Sequence, residues 1–390
     1  DNVRREAEQN TLLRFNKENE GWLRASAETA QRFSAVGCWF GIHLQPEIDV
    51  PLGLMLRGRG GRPISVFIRE EALKTDPVLK EKILKPCRDY KANPRKYQRE
   101  TSQTLPDPAE FAKWPGDFWK EVMSQVVPYA LSGVVWYQGE SDAWGFCKAQ
   151  LYQQTLELMI RDWRAQWEDP ELPFVLIQLP NGPGIDSARP LELTPWALVQ
   201  EAQHTVANKL PHVSCAVTVD TNEGGMHPKN KRPAGERAAH AAKSLVYAPD
   251  HIGEGPELRN VRVEDNRVRL YFNNAGQGLT TAQKELKGFS LAGKDRAFYW
   301  ADVSIVEKDV IELSPPEVPQ PVAARYAFSA GCPWSLVNRE GFPATPFRTD
   351  SWHWDIPKPD APQLSIVAGT PEIDGIPDDP AWQYAETAHT

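Results

Sequence analysis

Val134-Val-Trp-Tyr-Gln-Gly-Glu-Ser-Asp142 is an apolar run that ends abruptly in a polar cluster. The run predicts a buried strand over Gly133–Tyr137, followed by a turn. The polar residues of that turn are Gln138, Gly139, Glu140, Ser141 and Asp142. In a parallel α/β sheet, ligands bind at the carboxyl ends of the strands, so an amide, a glycine and a carboxylate there indicate a site. The alternative is a structural turn whose Ser141 or Asp142 caps the next helix.

The rest of the first two thirds of the chain alternates short apolar runs with helical patterns, which predicts a parallel α/β sheet from Ala27 to about Tyr247. The other strand candidates are Pro51–Leu56, Phe174–Leu179 and Val213–Val219. The predicted helices run from Lys148 to Trp167, from the cap Thr194 and Pro195 through Ala202, and from near Pro233 to Tyr247. Each strand candidate has the continuous apolar character of a strand buried on both faces.

Beyond Pro249 the pattern changes to alternating strands, with a hairpin turn expected at Asp265-Asn266. The length of 390 residues favours more than one domain. We predict an α/β domain over residues 1–250, a β-rich domain over 251–350, a Pro-rich linker over 351–365 and the start of a further β-sandwich over 366–390.

Composition excludes several classes of protein. The net charge is −8 and the basic residues are scattered, which argues against a nucleic-acid partner. No apolar stretch approaches the ~20 residues of a membrane span, so no membrane partner is predicted. The 14 tryptophans offer flat apolar faces suited to sugar rings, although burial in a core is the commoner role of tryptophan.

A second polar segment, Asp220-Thr-Asn-Glu-Gly-Gly-Met-His227-Pro, also lies between a predicted strand and a helix. His227 on such a loop can reach a nucleophile at a neighbouring strand end and act as a general base, because imidazole titrates near neutral pH. The alternative is a surface or capping histidine, since the chain holds 8 histidines and few histidines are catalytic.

A third segment, Arg57-Gly-Arg-Gly-Gly-Arg-Pro63, follows the strand candidate Pro51–Leu56. Gly60 and Gly61 permit a close approach of the backbone and can direct an N–H to an oxyanion. The spacing matches neither a Walker loop nor a dinucleotide fingerprint, so phosphate binding is not predicted. A plain glycine turn is the alternative.

In order and context, the three segments resemble the sialate O-acetylesterase family of the SGNH hydrolases. The resemblance covers about residues 20–350. Its most specific parts are Trp136-Tyr-Gln-Gly-Glu140 and His227-Pro-Lys-Asn-Lys231. Further matching segments are Phe33–Gly41, Arg161–Arg164, Leu172–Phe174, Gln178–Pro180, Glu201–Gln203 and Gly341–Asp350.

The resemblance implies an SGNH-type three-layer fold and hydrolysis of acetyl esters on sugars by a serine and a histidine, without a metal or an organic cofactor. His227 would be the base, and Gln138 would donate its side-chain amide to the oxyanion. Backbone N–H groups near Gly60 and Gly61 would assist Gln138, and Glu140 would order the pocket through hydrogen bonds.

The family's nucleophile stands in a Gly-Gln-Ser-Asn block that these 390 residues do not contain. We therefore expect the serine upstream of Asp1, the chain to be a fragment, and the fragment alone to be inactive. Ser34, Ser132 and Ser141 are candidates by residue type only. A non-catalytic carbohydrate-binding protein built on the same fold is the competing hypothesis.

The carboxylate that would orient His227 is also displaced from the family pattern. The family often has an aspartate two positions before the histidine, where this chain has Gly225. We prefer Glu223 as this acid, with Asp220 or an arrangement without an acid as alternatives.

The segment around the paired glycines carries Arg59 and Arg62, where a Trp and a Thr are frequent in the family. If they face the pocket, these guanidinium groups favour a carboxylate-bearing sugar such as a sialic or uronic acid. Solvent-facing arginines are the alternative, and an acetylxylan-type polysaccharide is the competing substrate.

Two expectations concern the ends of the chain and its location. The segment Ile373-Asp-Gly…Ala381-Trp382 resembles the first strand of a family 9-like carbohydrate-binding module. Export from the cytoplasm is expected, because esterases of polysaccharides and sialoglycans usually act outside the cytoplasm.

Overall fold

The structure is a computed structural model that describes residues 13–17, 21–101, 114–182, 190, 193–222, 225–264, 267–314 and 317–352. The predicted linker beyond residue 352, the predicted carbohydrate-binding module and the turn at Asp265-Asn266 lie outside these residues. Residues up to Asp350 form one compact unit. The four segments predicted above, with their boundaries, stay predictions. Among the described helices, none combines the length and apolar character needed to cross a bilayer.

The strands and helices of the described residues follow in chain order. The strands are β1 (Leu13–Lys17), β2 (Gly21–Arg24), β3 (Leu52–Leu56), β4 (Val134–Trp136), β5 (Phe174–Ile177), β6 (Val213–Ala216), β7 (Glu257–Glu264), β8 (Arg267–Asn273), β9 (Leu279–Thr281), β10 (Phe289–Ala292), β11 (Phe298–Trp300), β12 (Asp302–Glu307), β13 (Val310–Ser314), β14 (Ala323–Tyr326), β15 (Leu336–Asn338) and β16 (Phe347–Arg348). The helices are α1 (Ala27–Gln31), α2 (Ala35–Leu44), α3 (Glu70–Thr75), α4 (Pro77–Leu79), α5 (Lys85–Ala92), α6 (Pro94–Thr101), α7 (Asp117–Glu121), α8 (Phe146–Gln166), α9 (Pro195–Lys209) and α10 (Arg232–Ala242).

The central sheet has the order β4-β5-β6 and all three strands run parallel. β5 is buried on both faces, and its side chains alternate between two cores because successive residues of a strand point to opposite sides. Phe174 and Leu176 pack with residues of α8 and α9, whereas Val175 and Ile177 pack with residues of α2 and α10. Two helices therefore cover each face, which gives the three layers that the sequence predicted.

Predicted and observed elements agree closely in this part of the chain. Three of the strand candidates contain β4, β5 and β6, and α8 begins two residues before the predicted Lys148. The Thr194 hydroxyl accepts a hydrogen bond from the Ala197 amide at 3.3 Å, so the predicted cap of α9 is confirmed. α9 extends beyond Ala202 to Lys209.

One strand pairs differently from the expectation. The segment Pro51–Leu56 contains β3, but β3 pairs in parallel with β1 in a separate sheet of order β2-β1-β3. The sequence did not predict β1 or β2, which are short and carry polar residues among the apolar ones. The expectation that all four strand candidates form one sheet is therefore wrong for the described residues.

The β-rich region after Pro249 contains two four-stranded antiparallel sheets, of order β12-β13-β8-β7 and β11-β10-β14-β16. Its core also includes Val217 and Val219, which follow β6 and lead towards His227. A bidentate ion pair from Arg348 to Glu201 of α9, at 2.7 and 2.9 Å, adds a second connection to the central sheet's helices. The predicted α/β fold with a parallel sheet followed by a β-rich region is confirmed.

Helices α10 and α2 pack closely against each other at Gly235. A Cβ atom at Gly235 would lie 2.5 Å from Trp39 Cβ and 2.6 Å from the Val36 carbonyl oxygen. We expect Gly235→Ala to lower the free energy of unfolding by about 1–3 kcal/mol, because the obstruction is mostly backbone and cannot swing aside.

Thermal and urea unfolding of the purified chain measure this change. The matched control is Gly58→Ala, since nothing lies within 4 Å of the Cβ atom at Gly58. Equal stability of the two variants would contradict the packing described for α2 and α10.

Candidate functional site

Backbone hydrogen bonds close the turn that follows β4. The amide of Ala143 donates to the carbonyl oxygens of Gly139 and Glu140, at 3.0 and 3.1 Å. A Cβ atom at Gly139 would lie 2.9 Å from Val199 Cγ1 of α9. Only glycine lets the chain leave the strand this close to α9, which explains the glycine between Gln138 and Glu140.

Gln138 is the centre of a hydrogen-bond network at the end of β4. Its Nε2 donates to the Arg62 carbonyl oxygen at 3.0 Å and to Asp142 Oδ2 at 2.7 Å. Its Oε1 accepts from the Tyr152 hydroxyl at 2.9 Å, and its carbonyl oxygen accepts from Gln203 Nε2 at 2.9 Å. Gln138 thereby ties the glycine-containing loop, the β4 turn, α8 and α9 together.

This network bears on the oxyanion role predicted for Gln138. A side-chain amide has two hydrogens, and both are engaged within the protein, with Arg62 and Asp142. In this arrangement Gln138 positions the loop and the turn, and donation to an oxyanion requires that one of the two bonds breaks. The structure shows Gln138 joining the loop to the turn, and its oxyanion role stays a prediction.

Asp142 is a buried acceptor rather than a helix cap. Its Oδ2 accepts from the Ile64 amide at 2.9 Å as well as from Gln138. The N-cap residue of α8 is Gly145, which makes no side-chain capping bond, so the alternative of a capping Asp142 is not what the structure shows. Burial raises the pKa of the Asp142 carboxyl from 3.8 to about 6, against the lowering effect of these hydrogen bonds.

His227 and Glu140 lie together, although 86 residues separate them in the sequence. His227 Nε2 is 3.8 Å from Glu140 Oε1, which is an ion-pair distance when the imidazole is protonated. The His227 side chain is 70% exposed and that of Glu140 is 23% exposed. His227, the candidate base, is thus open to solvent, and the Glu140 carboxylate beside it is mostly enclosed.

The residues considered as the acid partner of His227 have different positions. Glu223, the preferred acid, lies outside the described residues. Both carboxylate oxygens of Asp220 accept from the Arg237 guanidinium, and one of these two bonds measures 2.6 Å. Asp220 therefore fixes the end of β6 to α10. Glu140 is the carboxylate that the structure places beside His227, a position that the sequence analysis did not foresee.

The glycine-containing loop reaches the β4 turn through two contacts. Besides the bond from Gln138 to the Arg62 carbonyl, the Ile64 amide donates to Asp142. Gly60 and Gly61 are exposed, with no atom within 4 Å of a Cβ built on either, and Arg59 is exposed as well. The loop thus lies at the carboxyl edge of the central sheet, against the turn after β4. Its glycine backbone and Arg59 are at the surface.

Two buried residues of the site were missed by the sequence analysis. Tyr152 of α8 donates to Gln138, and Gln203 of α9 bridges the ends of two strands by accepting from the Leu179 amide at 2.9 Å while donating to Gln138. The segment Glu201–Gln203 had been singled out for its resemblance, which was the available signal for Gln203. Among the described residues, no group of three or more His, Cys, Asp or Glu side chains could hold a metal ion.

The raised pKa of Asp142 predicts a pH dependence of stability. Between pH 4 and 6, roughly, the folded state binds a proton at Asp142 that the unfolded state has released, so this group makes the protein less stable as the pH rises through that window. In Asp142→Asn this contribution is absent. We expect the stability of wild type relative to Asp142→Asn to fall by about 2 kcal/mol from pH 4 to pH 7.

Urea unfolding at several pH values measures the difference. Asp302→Asn, which changes an exposed carboxylate, is the control. A difference between wild type and Asp142→Asn that is constant over this range would show that Asp142 titrates normally.

Comparisons with known proteins find similarity to carbohydrate esterases over the residues that form the site. Residues 114–243, which include β4, its turn and the His227 loop, match the family model described as carbohydrate esterase, sialic acid-specific acetylesterase. The chain is 25% identical over 290 residues to sialate O-acetylesterase of Pongo abelii, covering 70% of this chain and 51% of that protein. For the Homo sapiens protein of the same name the identity is 25% over 240 residues, covering 58% and 42%. The chain therefore spans about half the length of the curated relatives it matches.

A solved structure gives the same result for the fold. The crystal structure of a carbohydrate acetylesterase from Xanthomonas citri matches with a TM-score of 0.74 at 28% identity, over 90% of this chain and 76% of that one. The predicted carbohydrate-binding module at the C-terminus is not confirmed by these comparisons. The resemblance that the Trp136–Glu140 and His227–Lys231 segments indicated is confirmed, because the chain is similar to sialate O-acetylesterases and to a carbohydrate acetylesterase of known structure.

Proposed function

We propose that the protein is a carbohydrate O-acetylesterase in which His227 is the general base and Glu140 its acid partner. The observation that carries the proposal is the 3.8 Å separation of His227 Nε2 and Glu140 Oε1 at the carboxyl edge of the parallel sheet. Ligands collect at this edge in α/β folds. The names of the curated relatives and of the structural neighbour support the same reaction.

In the proposed mechanism, His227 removes the proton from a serine hydroxyl as the oxygen attacks the acetyl carbonyl carbon. The imidazolium that forms gains stability from the negative charge of Glu140, and it then protonates the departing sugar oxygen. A separation of 3.8 Å is longer than a hydrogen bond, and such contacts commonly shorten once a substrate is bound. Water attacks the acetyl-enzyme in the second half of the reaction, with His227 again as the base.

The nucleophile stays the serine expected ahead of Asp1. Among the serines of this chain that the sequence analysis considered, Ser34 caps α2 by accepting from the Gly37 amide at 3.1 Å. Ser132 precedes β4, so it lies at the opposite end of that strand from Glu140. Ser141 is in the turn itself, directly after Glu140, and it is the residue of this chain to substitute if the 390 residues alone prove active.

The oxyanion donors in this proposal are backbone N–H groups near Gly60 and Gly61. The loop that carries these glycines is held against the β4 turn by the bonds of Gln138 and Asp142, so its backbone is positioned before substrate arrives. Preorganised donors of this kind stabilise the developing negative charge without reorganising during the reaction. Gln138 contributes by fixing the loop.

The substrate we propose is an acetylated sugar that carries a carboxylate, of which sialic acid is the example named by the curated relatives. Arg59 is exposed on the glycine-containing loop, and a guanidinium group binds a carboxylate through two parallel hydrogen bonds. An acetylated neutral polysaccharide is the competing substrate. We also propose that the protein acts outside the cytoplasm, where both classes of glycan occur.

The proposed mechanism predicts the loss of esterase activity in two variants. We expect His227→Ala and Glu140→Gln, in the protein that includes the upstream serine, to lower kcat/KM for an acetylated sugar roughly 10²–10⁴-fold, because each removes part of the proton transfer. Acetate release, followed by a coupled assay, measures the change.

A second histidine and glutamate pair supplies matched controls. His212 Nε2 lies 3.6 Å from Glu171 Oε1 on the surface. His212→Asn and Glu171→Gln should keep full activity; asparagine suits position 212, where φ is 55°. Wild-type activity in His227→Ala would exclude His227 as the base, and absence of acetate release by the wild-type protein would support the carbohydrate-binding alternative.

The proposal that the substrate carries a carboxylate leads to a separate prediction for Arg59. We expect Arg59→Ala to raise KM for O-acetylated sialic acid about fivefold, and to leave KM for an acetylated neutral sugar unchanged, because the neutral sugar has no carboxylate to bind. Initial rates on both substrates test this. Equal effects on the two substrates would contradict a carboxylate-binding role for Arg59.

A further inference from the structure

Trp144 is an exposed tryptophan at the candidate site. It is 71% exposed, and the next most exposed tryptophan among the described residues is Trp22 at 43%. Most tryptophan side chains are largely buried, because an indole ring in water leaves a large apolar surface unpaired. Tryptophan faces suit sugar rings, but no pattern in the sequence distinguishes Trp144 from the other tryptophans.

Trp144 follows Glu140 by four residues, in the same short segment between β4 and α8. The bond from the Ala143 amide to the Gly139 carbonyl oxygen closes the turn that contains Glu140, and Trp144 comes directly after this turn. Between these two positions, Asp142 and Ala143 are buried and face the protein interior. Trp144 therefore lies at the same edge of the parallel sheet as the carboxylate that faces His227.

The backbone that carries Trp144 is firmly held. Asp142 is fixed by the Ile64 amide and by Gln138, and Gly145, directly after Trp144, is the N-cap residue of the 21-residue helix α8. An exposed apolar ring on a fixed backbone loses little conformational entropy when it binds a ligand. These are the properties of a binding platform.

We propose that Trp144 is a stacking platform for the sugar ring of the substrate, and this inference rests on the proposed esterase function. The indole face packs against the apolar C–H face of a pyranose ring whose acetyl group reaches His227 and Glu140. Trp144 makes no contact with the ester in this arrangement, so it contributes to substrate binding and specificity and takes no part in proton transfer.

Kinetics on two esters test the proposal in the protein that includes the upstream serine. The esters are O-acetylated methyl glucoside, which has a sugar ring, and ethylene glycol monoacetate, which has none. We expect Trp144→Ala to raise KM for the glucoside roughly tenfold and to leave kcat within about a factor of two. KM for the glycol ester should not change, and Trp144→Phe should restore most of the binding.

Trp22→Ala is the matched control, since Trp22 is exposed but lies on β2, in a different sheet from β4. It should behave as wild type with both esters. An unchanged KM for the glucoside in Trp144→Ala, or equal changes for both esters, would overturn the proposal.

A binding measurement separates this proposal from the esterase function itself. If the wild-type protein releases no acetate from either ester, the proposed function fails, and Trp144 is then judged by saturation-transfer NMR with methyl glucoside. Transfer that is present in wild type and Trp22→Ala but lost in Trp144→Ala supports the platform. No transfer in wild type, or equal transfer in all three proteins, overturns it.

Discussion

The hydrogen bond between Gln138 and Asp142 is the interaction on which the site depends. It links the turn after β4 to a loop that lies 76 residues earlier in the chain, through the Arg62 carbonyl and the Ile64 amide. A buried polar group without its partner costs about 1–3 kcal/mol, so these bonds are replaced only at a considerable cost in stability. They determine where Glu140 and the glycine-containing loop lie relative to each other.

The second constraint comes from the layers around β5. Side chains on the two faces of this strand belong to different cores, one with α8 and α9 and the other with α2 and α10. α10 can lie against α2 only because Gly235 has no side chain. Since the His227 loop leads directly into α10, this close packing also determines how near His227 lies to Glu140.

Local sequence features predicted a large part of the fold. Apolar runs flanked by glycine, proline or polar residues identified the strands of the central sheet, because a strand buried on both faces needs no alternation. Thr194 and Pro195 marked the start of α9, since capping depends on neighbouring residues only. The sequence pattern marked the three segments of the site but left their roles open between functional and structural. The resemblance to a family then supplied the functional roles.

Pairings between distant segments could not be predicted in the same way. Nothing local to β3 encodes its pairing with β1, and nothing near Asp142 indicates that its acceptor oxygen serves Ile64 rather than a helix N-terminus. The preference for Glu223 followed from its nearness to His227 in the sequence, whereas Glu140 reaches His227 through the arrangement of β4 and β6 in one sheet.

The segment that follows β6 belongs to two parts of the molecule at once. Val217 and Val219 pack in the core of the β-rich region, and eight residues after Val219 the chain reaches His227. A substitution that loosens the β-rich core therefore shifts the anchor of the His227 loop. On the proposed mechanism, the β-rich region supports the general base from a distance, and a chain shortened at Pro249 would lose that support.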